Sequence, residues 1–429
     1  MRPFMQDTGR TRVLEDVMLN DTVKGFPPHQ QALLSQVGGR GWSLLRGDIP
    51  LPAAIIKLPA LERNSRWMQA FVKDAQALLA PHVKTTMCPA IMRRQLADGA
   101  WGVTVATVQQ MRLCRRWGAG RIILANQPVG DAELAGIVEE LRRDPGFDFY
   151  CLADSPAGVA LLTQAALRAG LERPIQVLVE LGYTGGRTGA RGVDAAMTVA
   201  RAIHQAGPAL ALAGVEGFEG MLPVAAPLGQ PTVTQFLADM ATLYRRCRDE
   251  GLFGMAQPLL TAGGSIHYDL VLEAFAGLDA RVVTRSGCYV TQDSGIYQKA
   301  HEALRAKRAT AGGLERALEV WAYVQSRPEP GLALLTAGRR DFGTDAGLPV
   351  PLLLSRAGAA PASVDGMGWE VVGVNDQHAY LRIPMDADLK VGDRVGLGVS
   401  HPCTTLDKWQ LLLVVDEDYT VVDAYRTYF

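Results

Sequence analysis

The strongest constraint on this chain is an alternation. From residue 82 to residue 284, short β-rich runs alternate with helix-period segments, eight runs in all. The runs are 82–84, 102–106, 121–125, 147–152, 175–180, 210–215, 257–260 and 281–284; the segments between them are 89–98, 108–117, 131–143, 156–169, 193–205, 232–250 and 267–276. Parallel strands need a crossover connection, so alternating units imply a parallel sheet with helices outside it. Eight such units in about 200 residues fit a closed (β/α)8 barrel of the TIM type. A doubly wound open sheet is the competing arrangement, but no Gly-x-Gly-x-x-Gly follows the first strand to support it.

The pattern changes after residue 326. Short strand candidates at 350–354, 369–374, 379–383, 393–399, 410–415 and 419–425, with turn residues between them, read as an antiparallel β domain. The expected class is therefore α/β, a barrel plus a C-terminal antiparallel β domain. The expected divisions are a mainly helical extension over 1–50, the barrel over 51–326 and the β domain over 327–429. The barrel segment would open with a strand at 53–58 and a helix at 61–79, and end with a helix at 311–326.

Composition excludes several classes. The net charge is −1, so there is no basic footprint for nucleic acid or an anionic membrane. No apolar run approaches the ~20 residues needed to span a bilayer, and the first residues lack the apolar core of a signal peptide. The six cysteines (88, 114, 151, 247, 288 and 403) show no disulfide-framework spacing. A reducing cytoplasm is the expected location.

Barrel enzymes gather their chemistry at the C-terminal strand ends. There, Gly263-Gly264-Ser265 opens a predicted helix, and Ser286-Gly287-Cys288 ends the neighbouring strand. Bare N–H groups at a helix start attract anions. One such loop alone reads as a tight βα turn; two on adjacent strands, where barrels often place phosphate, read as a phosphate cradle. Lys84 ends the first strand. Most lysines lie on the surface, but a desolvated amine at a barrel mouth suits Schiff-base chemistry. Amine and phosphate cradle together point to pyridoxal phosphate. Further on, His401 and Cys403 follow the apolar run Val395, Leu397, Val399. Residues i and i+2 of a strand share a face, so the imidazole and thiol could grip one divalent ion, zinc best of all, with positions left open.

Five motifs carry a resemblance. They are Pro81-His82-Val83-Lys84-Thr85, the run 99–107, Gly185-Gly186-Arg187-Thr188-Gly189, Arg285-Ser286-Gly287-Cys288-Tyr289-Val290 and Ser400-His401-Pro402-Cys403-Thr404-Thr405. In this order they resemble the D-threonine aldolase/D-serine dehydratase family of pyridoxal-phosphate enzymes, over nearly the whole chain beyond residue 50. The resemblance implies that Lys84 is the Schiff-base lysine and that Arg187 holds the phenolic oxygen of the cofactor. It implies that Gly263, Gly264, Ser265, Gly287 and Cys288 bind the phosphate, and that His401 and Cys403 hold the metal. His378, in Asn375-Asp376-Gln377-His378, matches a motif lining the site and would orient substrate; a satisfied strand histidine is the plainer reading. Two departures stand out: Thr85-Thr86-Met87 replaces the Thr-His-Lys of many members, and the loop carrying Arg187 is longer than the usual Gly-x-x-Arg.

The resemblance implies a small-molecule D-3-hydroxy amino acid substrate and a homodimer. A sulfur ligand favours zinc and the dehydratase outcome, giving a 2-keto acid and ammonia. An aldolase giving glycine and an aldehyde is the alternative, and a non-catalytic pyridoxal-phosphate-binding protein is a third reading.

Overall fold

The computed structural model describes residues 16–224, 231–307, 312–356 and 359–429. The chain forms two units, one made of 69–84 and 93–287, the other of 1–68, 85–92 and 288–429.

The first unit contains the barrel. Its parallel strands are Leu78–Leu79, Val103–Val105, Arg121–Leu124, Asp148–Ala153, Ile175–Gly182, Leu210–Gly217, Leu259–Ala262 and Arg281–Thr284. The last pairs with the first, Val283 opposite Leu78. The first meets the second through the bridge His82–Thr104 and the bonds from Trp101 N to Leu79 O and Thr104 N to Pro81 O, both 2.8 Å. The sheet thus closes on itself. A buried cluster including Ile123, Tyr150, Leu152, Leu178, Leu259 and Val283 draws on successive strands. Truncating Leu178 to Ala in such packing costs ~2–5 kcal/mol.

Local chemistry explains the helices. Thr107, Ser155 and Thr232 cap Val108–Arg116, Pro156–Ala169 and Val233–Asp249 by accepting from the N–H three residues on, and Gly170 ends the second of these at φ 58°. Asp131–Arg143, Pro156–Ala169 and Val193–Gln205 have the predicted bounds.

The first strand differs from expectation. It is Leu78–Leu79, and Val83–Thr85, which carries Lys84, forms a 3-10 turn. Pro81 has no N–H to continue a ladder, so the chain tightens there.

The second unit is built on a ten-stranded sheet among the described residues. Its longest strand, Leu318–Glu329, pairs antiparallel with Ala53–Lys57, Leu332–Leu335 and Arg394–Gly398. This strand occupies most of the helix predicted over 311–326. The Leu314-Glu315-Arg316-Ala317-Leu318-Glu319 composition favours a helix, but the Val320-Trp321-Ala322-Tyr323-Val324 that follows is rich in strand-forming residues, and Leu318 to Ala322 are all buried between partner strands. Glu319, 1% exposed, is satisfied there by Lys57 Nζ at 3.0 Å, Trp321 Nε1 at 2.8 Å and the Tyr419 hydroxyl.

The described part of the extension expected to be mainly helical, residues 16–50, holds two short strands, Met18–Asn20 and Gln31–Leu33, and a 3-10 helix, Leu34–Arg40. The breaks at Gly25, Pro27-Pro28 and Gly38-Gly39 leave no uninterrupted helical stretch. Residues 1–15 of that extension lie outside the described residues. Val37, Leu44 and Ile49 join the buried cluster of Ile55, Trp321 and Leu413. A helix absent from the sequence reading, Ile296–Lys307, begins where Asp293 accepts from the N–H groups of Gly295, Tyr297 and Gln298.

Candidate active site and metal centre

Two clusters of chemistry emerge, one in each unit. In the barrel unit they lie at the C-terminal strand ends. Lys84 is half-buried in the turn after the first strand. Beside it in sequence, His82 donates its backbone N–H to Ser286 O at 3.2 Å, while its ring Nδ1 is buried with no hydrogen-bond partner among the described residues. Burial, reinforced by the positive charge of Lys84, holds this imidazole well below the usual histidine range, so it is neutral.

Near the end of the fifth strand lies Glu180, 3% exposed, which accepts from the Thr188 hydroxyl at 2.7 Å and from the Gln127 amide. Its carboxyl is raised by burial. Arg187, on the loop beyond, is exposed, with its guanidinium 5.0 Å from the centre of the Phe218 ring.

The sixth strand carries Glu216, paired with Arg285, the residue just after the eighth. Arg285 also donates to Thr261 Oγ1 at 2.8 Å and Gly217 O at 3.2 Å. Burial pushes the Glu216 carboxyl up to about 8 against the opposing charge of Arg285, and its Oε2 has no hydrogen-bond partner among the described residues.

Two N–H groups expected at the phosphate are engaged by the Glu219 side chain. Gly263 N donates to Glu219 Oε2 at 2.8 Å, and Gly264 N to Glu219 Oε1 at 2.6 Å. Gly264 has φ +62°, and a Cβ on Gly263 would meet Phe218 Cδ2 at 2.6 Å, so both positions require glycine. Ser265 follows these donors in sequence; Gly287 lies in the loop after the eighth strand, next to Ser286, whose hydroxyl donates to Gly264 O. The helix after Ser265 starts only at Tyr268. A donor pair that accepts a carboxylate suits a phosphate, and two orphaned polar atoms in the same unit suit a polar ring. With the Lys84 amine, these residues fit pyridoxal phosphate.

The second cluster is a metal-type donor set. Cys288, His401 and Cys403 offer two sulfurs and a nitrogen within 4.8 Å of one another. Contrary to the strand expectation, His401 and Cys403 do not lie on one strand. His401 is the extended N-cap (φ −148°) of the helix Pro402–Leu406, and Cys403 lies in its first turn. Pro402 at the first helical position starts the helix that strand periodicity missed.

Cys288, expected at the phosphate, places its sulfur 3.5 Å from that of Cys403. The Thr85 hydroxyl lies 3.4 Å from the Cys403 sulfur and 4.0 Å from that of Cys288. Asp345 Oδ2 sits 2.6 Å from His401 Nδ1, leaving the other ring nitrogen to a metal.

The charges are coupled. Cys403 is held well below the usual thiol range by hydrogen bonding from Cys288, then His401 and Thr85. Cys288 is correspondingly raised, first by its bond to Cys403. His401 is raised to about 9 by Cys403, with Asp345 adding to the effect. A thiolate flanked by protons that a cation can displace is a donor set that fits zinc.

His378 is half-buried before the strand Ala379–Arg382, its carbonyl accepting from Asn375 N at 2.8 Å. Sequence alone assigned no role to Glu216, Glu219 or Asp345. The first two occupied strand-end positions that could have flagged them; Asp345 carried no local signal.

Comparison with known proteins identifies relatives of both the barrel and the antiparallel unit. The alanine racemase N-terminal domain matches residues 56–264, and a putative serine dehydratase domain matches residues 317–415. D-threonine aldolase of Arthrobacter sp. is 26% identical over 382 residues, 88% of this chain and 92% of that protein. D-threo-3-hydroxyaspartate dehydratase of Delftia sp. (strain HT23) is 26% identical over 370 residues, 82% of this chain and 91% of that protein. The crystal structure of D-threonine aldolase from Filomicrobium marinum superposes with TM-score 0.72 at 25% identity, covering 90% of this chain and 97% of that one. The Delftia dehydratase structure gives 0.70 at 22% identity, covering 90% and 99%, a likeness of fold.

Barrel, antiparallel unit and site define a lyase of the alanine-racemase-like, pyridoxal-phosphate-dependent class. The chain belongs to the D-threonine aldolase/D-serine dehydratase family.

Proposed function

We propose that the protein is a pyridoxal-phosphate- and zinc-dependent dehydratase of D-3-hydroxy amino acids, such as D-serine, D-threonine or 3-hydroxyaspartate, releasing a 2-keto acid and ammonia. The observation that carries this reading is the sulfur-containing donor set around His401 and Cys403. Sulfur and imidazole ligands select a zinc-type ion, whereas an all-oxygen set would select magnesium or manganese.

Pyridoxal phosphate, when bound, delocalises negative charge left at the substrate Cα, and a divalent metal supplies Lewis acidity toward a β-oxygen. Lys84 would tether the cofactor and move the Cα proton. Gly263, Gly264, Ser265 and Gly287 would hold the phosphate, and Arg187 the phenolic oxygen. His401 and Cys403 would hold the metal, and His378 would orient the substrate. The family relatives named above, an aldolase and a dehydratase, keep retro-aldol cleavage as the second reading.

An assay over D-serine, D-threonine and 3-hydroxyaspartate, with and without chelator, decides between them. 2-Oxobutanoate from D-threonine supports the dehydratase; glycine with acetaldehyde overturns it in favour of the aldolase. Turnover of no such substrate by cofactor-loaded protein supports the non-catalytic reading. A cytoplasmic homodimer completes the proposal. Six free cysteines fit a reducing compartment, and no described helix is long and apolar enough to cross a membrane. Light scattering on the eluting protein tests the dimer.

A further inference from the structure

We propose that Cys288 is a third protein ligand, so that this chain holds its metal with two thiolates and one imidazole. The inference rests on the metal reading above and extends it by a residue that the sequence reading placed at the phosphate.

Geometry carries the assignment. Two thiolates bound to one tetrahedral zinc, each at about 2.3 Å, lie about 3.8 Å apart. The sulfurs of Cys288 and Cys403 are 3.5 Å apart, close to that separation and far beyond the ~2.05 Å of a disulfide bond. The third donor, the imidazole of His401, falls within the same 4.8 Å group.

The scaffold around Cys288 is rigid. It starts the 3-10 helix Cys288–Val290, is 4% exposed, and its carbonyl accepts from Thr291 N at 3.2 Å and Gln292 N at 2.8 Å. A pair of buried thiols in simple packing contact is the plainer alternative. It leaves unexplained why the pair faces an imidazole oriented from behind by a carboxylate, and why a hydroxyl, Thr85, lies near both sulfurs. Metal-ligating histidines regularly have such a carboxylate behind them.

The assignment has chemical consequences. Three protein ligands leave one open position in a tetrahedral site, room for a single exogenous oxygen. A second thiolate also favours zinc, cadmium and cobalt over magnesium and manganese, and offsets the full charge of a divalent ion.

Sulfur counting tests this. X-ray absorption at the zinc edge of full-length, zinc-loaded wild-type protein is expected to show two sulfur scatterers. One sulfur would overturn the assignment while leaving the His401–Cys403 site standing. In parallel, chelator-stripped protein is reloaded with Co2+. The sulfur-to-cobalt absorbance of Cys288→Ser and of Cys403→Ser is expected to be about half that of wild type, and zinc affinity of Cys288→Ser to fall ~10-fold or more, about 1.4 kcal/mol or more. A Cys288→Ser protein with wild-type absorbance and affinity overturns the third ligand alone. Wild-type protein that takes up neither zinc nor cobalt overturns both this inference and the metal reading. The absorption measurement uses only wild-type protein, so a poorly folding variant does not impede the test.

Discussion

Asp345 Oδ2 and His401 Nδ1 are 2.6 Å apart although 56 residues separate them in the chain. The carboxylate also accepts from the Thr404 hydroxyl on its other oxygen. It therefore fixes the ring plane and selects the nitrogen left for a metal. Asp345→Asn is expected to weaken zinc binding ~10–100-fold without unfolding the protein. Competition against a chromophoric chelator measures this. An unchanged affinity would make the contact incidental.

Lys84 is the amine placed at the barrel mouth. Lys84→Ala is expected to lose the visible absorbance of bound cofactor and all turnover of D-3-hydroxy amino acids. A wild-type spectrum in this variant would remove Lys84, and with it the cofactor arrangement proposed above.

The Glu219 carboxylate occupies the two N–H donors expected to hold phosphate. A cofactor phosphate held there would have to displace it, and a carboxylate would oppose its entry. Glu219→Gln is expected to tighten cofactor binding about tenfold, about 1.4 kcal/mol, by fluorescence titration of the cofactor-free protein. Gly263→Ala should act oppositely, since its Cβ meets Phe218 at 2.6 Å and overpacking costs ~1–3 kcal/mol. Weaker binding by Glu219→Gln would show that the carboxylate supports the loop instead of competing for it.

Glu216 imposes a pH dependence on the barrel unit. Its carboxyl rises from 4.5 to about 8 because it is buried. Below pH 4.5 folded and unfolded chains are both protonated there, and the contribution is complete. Between 4.5 and 8 the folded state keeps a proton the unfolded chain has released, so stability declines with rising pH by up to ~1.4 kcal/mol per unit. Glu216→Gln lacks this component. The wild-type advantage in unfolding free energy over the variant should therefore shrink as pH rises through that window. A difference that stays flat with pH rules the assignment out.

The barrel was legible in residues 102–284 because parallel strands and amphipathic helices are written in local periodicity. Asp131–Arg143, Pro156–Ala169 and Val193–Gln205 begin and end where capping and hydrophobic phase place them. Leu318–Glu329 was missed: the helix-favouring Leu314-Glu315-Arg316-Ala317-Leu318-Glu319 runs into it and masked Val320-Trp321-Ala322-Tyr323-Val324, while the partners that pair it, Ala53–Lys57 and Arg394–Gly398, are remote in sequence.

The same division runs through the site. The chain alone places Lys84, Gly263, Gly264, His401 and Cys403 in motifs whose residue types already carry their chemistry, since glycine backbones, amines and thiols act through short-range properties. Tertiary structure decided what no spacing encodes: Cys288 beside Cys403 across 115 residues, Asp345 behind His401, and Glu219 on the Gly263 and Gly264 N–H groups. Sequence separation carries no distance information for such pairs, because their geometry is set by which strands and helices pack together, and that choice belongs to the whole core.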